Sequence, residues 1–114
     1  MNNNEIIKSL ENADFAQETC KQIIKEFEKV GVALSLDINE KDTAIISKKI
    51  AEELDAIIGN APHLLAQLFY SIDLPEEKVK AAMEKNDFIE EGIANAILIR
   101  SAQKVYIRKR YSTL

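Results

Sequence analysis

The single histidine and the single cysteine are the residues best suited to catalysis, and neither has the neighbours that catalysis requires. His63 follows Pro62 at the start of a short predicted helix, without a Ser, Cys or acidic residue at a spacing that would share its helix face. A general base acts on a positioned partner, so an isolated histidine indicates an ordinary surface or half-buried residue. Cys20 follows the spacing of apolar residues in a longer helix, where a free cysteine packs like a small hydrophobic side chain. The sequence therefore predicts a protein that is not an enzyme.

Oxygen-bearing residues at alternate positions suggest a calcium loop, but the pattern is incomplete. Counted from Asp37, the sixth position is Asp42 and the twelfth is Lys48, where an EF-hand requires Gly and Glu. Pairs of adjacent acidic residues occur at Glu52/Glu53, Glu76/Glu77 and Glu90/Glu91. Adjacent residues point about 100° apart on a helix and do not share one site. A di-metal carboxylate bundle would also need Glu-x-x-His, which the chain lacks. We predict no metal and no cofactor.

The C-terminal fifteen residues carry the most informative charge pattern. Residues 100–114 contain five basic residues and no acidic one, whereas residues 1–99 contain all 19 acidic residues and 10 basic ones. Arg100, Lys104 and Arg108 are four residues apart and form one stripe on a helix. Beside this stripe lie Lys109, Arg110, Tyr106 and Tyr111.

This basic stripe has one structural and two functional explanations. Cations in a last helical turn complement the helix dipole, which accounts for Arg108 to Arg110 better than for Arg100. The first functional explanation is a docking surface for an acidic protein, which could be a second copy of this acidic chain. The second is a patch that binds nucleic acid by charge and aromatic stacking.

Composition places these residues in a soluble, helical domain. The chain has 114 residues, 46% of them hydrophobic and 30% charged, which is the size and balance of one globular domain. Three glycines and two prolines are too few for the frequent turns of an all-β fold. The apolar runs do not exceed four residues and the N-terminus lacks a signal-peptide pattern, so we expect a cytoplasmic protein that does not span a membrane. One cysteine cannot form an intrachain disulfide, which fits a reducing compartment.

Apolar residues three and four positions apart predict an all-α fold, a compact bundle of about five helices in a single domain, 1–114. The predicted helices are 14–30, 42–58, 61–71, 75–85 and 87–110, with a weaker helical pattern at 5–10. Asp14 is the expected N-cap of the first, and Gly31 follows its end. Asp42 or Thr43 begins the second, Gly59 ends it, and Asn60 caps the third.

Two segments depart from the simple helical pattern. Residues 32–38 alternate apolar and polar side chains like a strand, but without a partner strand we favour an extended segment, 31–41, laid over helices. The last helix is apolar around most of its circumference, with Ile93 and Ile97 on one side and Ile99 on the other. It is therefore either the central helix of the bundle or lies between the bundle and a second subunit.

Together these patterns predict a non-enzymatic protein–protein interaction module that forms a homodimer. An acidic protein is a further candidate partner, and a nucleic-acid-associated regulator is the alternative function. Residues 61–86 have helix-turn-helix spacing, but the second of these helices carries no net positive charge and would approach phosphate poorly. The residues predicted to bind the partner are Phe88, Ile99, Tyr106, Arg100, Lys104, Arg108, Lys109 and Arg110.

Overall fold

The structure, a computed structural model, describes residues 3–84 and 89–112. Within these ranges it contains six α-helices and no β-strand. They are α1 (Asn3–Ser9), α2 (Ala13–Glu28), α3 (Thr43–Asn60), α4 (Leu64–Ile72), α5 (Glu76–Glu84) and α6 (Ile89–Ser112). The all-α prediction is confirmed, and the helix beyond the expected five is the short α1. The predicted start of the last helix, at residue 87, lies outside the described residues.

Two of the predicted N-cap residues are wrong, because an N-cap side chain must reach a free backbone N–H in the first turn of its helix. The N-cap of α2 is Asn12 and not Asp14: its side-chain oxygen accepts the Phe15 N–H at 3.0 Å, while Asp14 lies within the first turn. Asn60 does not cap α4, since it is the last residue of α3 and donates its amide to the Ala56 carbonyl at 3.0 Å.

Other predicted boundaries follow the expected chemistry. Asp42 caps α3 by accepting the Ala44 N–H at 2.9 Å. Gly31 takes the left-handed conformation after α2, with a φ of 79°, and its N–H donates to the Glu28 carbonyl at 2.9 Å. This is the turn that glycine favours at a helix end. Gly59, in contrast, lies inside α3 and does not end it.

Asp73 ends α4 with the same kind of turn as Gly31, although it is not glycine. Its φ is 63°, its N–H donates to the Tyr70 carbonyl at 3.1 Å, and the Leu74 N–H donates to the Phe69 carbonyl at 2.9 Å. A left-handed conformation costs a non-glycine residue about 1–2 kcal/mol, so other contacts must hold Asp73 in place.

The segment between α2 and α3 is extended and unpaired, as predicted. Its apolar side chains alternate with exposed ones: Leu34 is buried, and Leu36 and Ile38 are partly buried. Side-chain contacts tie its far end to α2, because the Gln17 amide donates to Asn39 Oδ1 at 3.0 Å. The alternation of apolar and polar residues therefore comes from a segment that packs one face against the bundle, and not from a β-strand.

Helix α6 lies at the centre of the bundle and contacts each of the other five helices. The core draws buried side chains from every one of these helices and from the extended segment, among them Ile6, Phe27, Leu34, Ile50, Leu68, Val79 and Ile97. Of the two explanations for an α6 that is apolar on most sides, the central position is therefore the one that the fold adopts. No helix in the described ranges is long and apolar enough to cross a membrane.

Candidate interaction surface on the last helix

The first cation of the α6 stripe is bound within the chain. Arg100 Nη2 contacts Asp73 Oδ2 at 2.8 Å, and Arg100 Nε donates to the Asp73 carbonyl at 3.1 Å. Two bonds from one guanidinium thus hold the left-handed residue that ends α4. Arg100 was predicted to bind a partner, and within the chain two of its N–H groups join α6 to the α4–α5 turn.

The next cation, Lys104, reaches a fully buried carboxylate. Its ammonium lies 3.4 Å from Glu26 Oε1 and donates to the Ser71 carbonyl at 3.1 Å. Glu26 also accepts the Gln22 amide on Oε1 at 2.6 Å and the Ser71 hydroxyl on Oε2 at 3.0 Å. Lys29 adds a further ammonium at 3.3 Å. The carboxylate therefore joins α2, α4 and α6.

The charge state of Glu26 follows from this surrounding set of donors. Burial by itself raises the pKa of Glu26, but the Ser71 hydroxyl and the Lys104 and Lys29 ammonium groups outweigh it. The net effect lowers the pKa below its ordinary value, so Glu26 is ionised at neutral pH.

Arg108 extends the same network toward the end of α6. Its Nη1 donates to Gln22 Oε1 at 2.9 Å, and Gln22 donates in turn to Glu26. We call Gln22, Glu26, Lys29, Ser71, Lys104 and Arg108 the Glu26 network. Sequence reasoning missed Glu26, although Thr19, Gln22 and Glu26 recur at helical spacing beside the apolar stripe of α2. That polar stripe was the available signal.

The apolar residues predicted to bind a partner are largely used by the bundle. Ile99 and Tyr106 are partly buried and pack against the core. Ile93 and Ile97, on the other side of the helix, are buried. Phe88 lies outside the described residues. Ile99 and Tyr106 therefore keep only part of their surface for a partner, and a more exposed surface lies elsewhere on α6.

Such a surface begins where α6 extends past its last buried residue, Val105. Ile107 is 48% exposed, and Tyr111, four residues later on the same helix face, is 64% exposed. Arg108, Lys109 and Arg110 between them are exposed as well. We call residues 107–111 the basic end. Of this surface, sequence reasoning named the three cations as partner-binding residues but not Ile107 or Tyr111.

A cleft of opposite charge lies near the start of α6. It occupies about 630 Å³ between α3 and α6. The acidic residues that line it are Glu52, Asp55, Glu90 and Glu91, and Lys48 is the one cation among its described lining residues. We call this the acidic cleft. Glu91 and Ile107 are sixteen residues apart on one helix, so the cleft and the basic end are separated by about 24 Å along α6.

The residues considered for catalysis occupy ordinary positions. His63 is exposed at the start of α4. Cys20 is buried, and desolvation, followed by the negative charges of Glu40 and Asp37, raises the pKa of its thiol to about 11. A protonated thiol is a poor nucleophile at neutral pH. Within residues 3–84 and 89–112, no group of three or more His, Cys, Asp or Glu side chains is placed to hold a metal ion.

Comparison with known proteins gives no indication of function. No protein family matches this chain, and no curated protein or solved structure matches it.

Proposed function

We propose that this chain is a non-enzymatic protein-interaction module that forms a homodimer, in which the basic end of each copy binds the acidic cleft of the other. The observation that carries the proposal is the exposed pair Ile107 and Tyr111, set among cations on turns of α6 that extend past the core. Apolar side chains supply affinity when a partner covers them, and the surrounding charge selects an acidic partner.

The second copy is the acidic partner that we favour, because the chain carries the complementary surface itself. The basic end and the acidic cleft lie at opposite ends of α6. Lys109 lies eighteen residues, or five full helical turns, after Glu91 and so on the same face of α6. Two copies related by a two-fold axis, with their α6 helices antiparallel, would therefore bring Lys109 of each copy to the acidic cleft of the other in one closed interface. Such an assembly needs no additional component. A reducing compartment such as the cytoplasm suits a chain whose single cysteine is a buried thiol.

Nucleic acid is the less favoured partner, because much of the positive charge already has acceptors within the chain. Lys104 contacts Glu26, and Arg108 donates to Gln22. Binding to phosphate would have to compete with these contacts.

Sedimentation velocity over micromolar concentrations tests the proposal. We expect a wild-type dimer that dissociates as salt is added, because salt screens the exposed charges. Lys109→Glu with Arg110→Glu, which leaves the Arg108–Gln22 hydrogen bond in place, should give a monomer. Lys78→Glu with Lys80→Glu makes the same charge change on exposed residues of α5 and should remain dimeric. A wild-type protein that stays monomeric at low salt would overturn the proposal, as would a monomer that binds duplex DNA in a salt-dependent manner.

A further inference from the structure

A second cleft lies between α5 and α6, away from the basic end, and meets the acidic cleft at Asn95, which lines both. It occupies about 480 Å³ and is bounded at one end by the turn at residues 73–75. Small and apolar residues form much of its lining: Leu74, Ala81, Ala82, Gly92, Ala96 and Ile99. Among the described residues, the facing positions on the two helices are mostly alanine and glycine, whose small side chains leave space between α5 and α6. A cavity of this size can hold a small molecule.

The polar groups around this cleft are mainly hydrogen-bond donors. Arg100 spends three of its five N–H groups on Asp73 and Gln103, which leaves one on each terminal nitrogen. The oxygen of Gln103 accepts from Arg100, and the oxygen of Asn95 accepts the Ser47 hydroxyl at 2.7 Å, so both amides keep their N–H groups.

Charge around the α5–α6 cleft also favours an anion. Lys78 lies on its exposed rim. Among the described residues that line the cleft, Asp73 is the one carboxylate, and its charge is already paired with Arg100. Lys78 and Arg100 together with Asp73 give the described lining residues a net charge of +1, within a chain whose net charge is −4.

We propose that the α5–α6 cleft binds a small amphiphilic carboxylate, a molecule with one carboxylate group and an apolar body. The guanidinium of Arg100 is preorganised by Asp73, and its remaining N–H groups suit a carboxylate. The Lys78 ammonium supplies a second positive charge. The alanine, leucine and isoleucine lining accepts the apolar body. This site does not depend on the proposed dimer.

Octanoate is a suitable probe, and 1-octanol has the same chain without the charge. We expect octanoate to shift backbone amide signals of residues around the cleft saturably in two-dimensional NMR, and 1-octanol to bind about tenfold more weakly.

Matched variants then locate the site. Lys78→Gln should weaken octanoate binding several-fold, whereas Lys80→Gln, which is exposed on the same helix but does not line the cleft, should not. Ala96→Leu should fill the cleft and abolish binding, while Ala66→Leu on the exposed face of α4 should have no effect. Thermal melting verifies that each variant folds. Equal affinity for octanoate and 1-octanol, absence of saturable shifts at millimolar octanoate, or shifts confined to the basic end would each overturn the proposal.

Discussion

At the scale of single residues, Glu26 has the most demanding environment in the described structure. A carboxylate taken out of water is costly unless donors replace the lost hydration. Glu26 receives them from Gln22 of α2, Ser71 of α4, Lys104 of α6 and Lys29, which directly follows α2. Sequence reasoning identified the cation stripe of α6 but not this acceptor, because only the packing of α2 against α6 brings Lys104 to Glu26. The structural role of Lys104 in the cation stripe therefore depends on a contact between residues far apart in the sequence.

Replacement of Glu26 by alanine should be strongly destabilising. The change would leave the buried Gln22 amide and the partly buried Ser71 hydroxyl without their acceptor and would remove the charge that Lys104 faces. We expect a loss of about 3 kcal/mol in the free energy of unfolding, measured by urea denaturation. Glu28→Ala, on the exposed side of the same helix, should change it by less than about 0.5 kcal/mol. Similar effects of the two substitutions would show that the network contributes little.

The lowered pKa of Glu26 also predicts how stability depends on pH. A carboxyl whose pKa is lower in the folded than in the unfolded state stabilises the fold above the unfolded-state pKa, about 4.3 for glutamate. That contribution is lost as the pH falls through the lower folded-state pKa. The difference in unfolding free energy between wild type and Glu26→Gln should therefore be constant near neutral pH and shrink in this acidic range. A difference that stays constant down to the acid-unfolding transition would contradict the assigned pKa direction.

At the scale of helices, local sequence patterns were sufficient for the elements but not for all of their ends. The spacing of apolar residues predicted the five helices that follow residue 12. Because α6 is apolar around most of its circumference, a central position in the bundle was one of its two predicted explanations. Helix ends were harder, because Asn12 and Asp14 are both good caps by residue type. Only the backbone geometry at the start of α2 decides between them.

The central position of α6 predicts a sharp contrast between two isoleucines ten residues apart. Ile97→Asp would place an unpaired charge in the core and should unfold the protein, as should Leu54→Asp on α3. Ile107→Asp, on the exposed turn of the same helix, should melt close to the wild-type temperature. Circular dichroism at 222 nm, which reports helix content, follows the thermal unfolding of each variant. Cooperative melting of Ile97→Asp at the wild-type temperature would contradict the core assignment.

At the scale of the whole molecule, the arrangement of charge matters more than the total. The bundle is acidic, the basic end lies at one end of its central helix, and the acidic cleft lies near the other. Composition revealed the separation of charge along the sequence. It did not reveal that Glu52 and Asp55 of α3 share a cleft with Glu90 and Glu91 of α6, because that requires the packing of the two helices.

Two charge-reversed variants test this arrangement most directly when they are mixed. Lys109→Glu with Arg110→Glu makes the basic end negative, and Glu52→Lys with Asp55→Lys reduces and partly reverses the charge of the acidic cleft. Each variant alone brings like charges together and should sediment as a monomer. In an equimolar mixture, the wild-type basic end of one variant meets the wild-type acidic cleft of the other. The negative end likewise meets the cleft that carries the new lysines. We predict that the mixture forms a heterodimer by sedimentation velocity at low salt; a mixture that stays monomeric while the wild type dimerises would contradict the docking of the basic end on the acidic cleft.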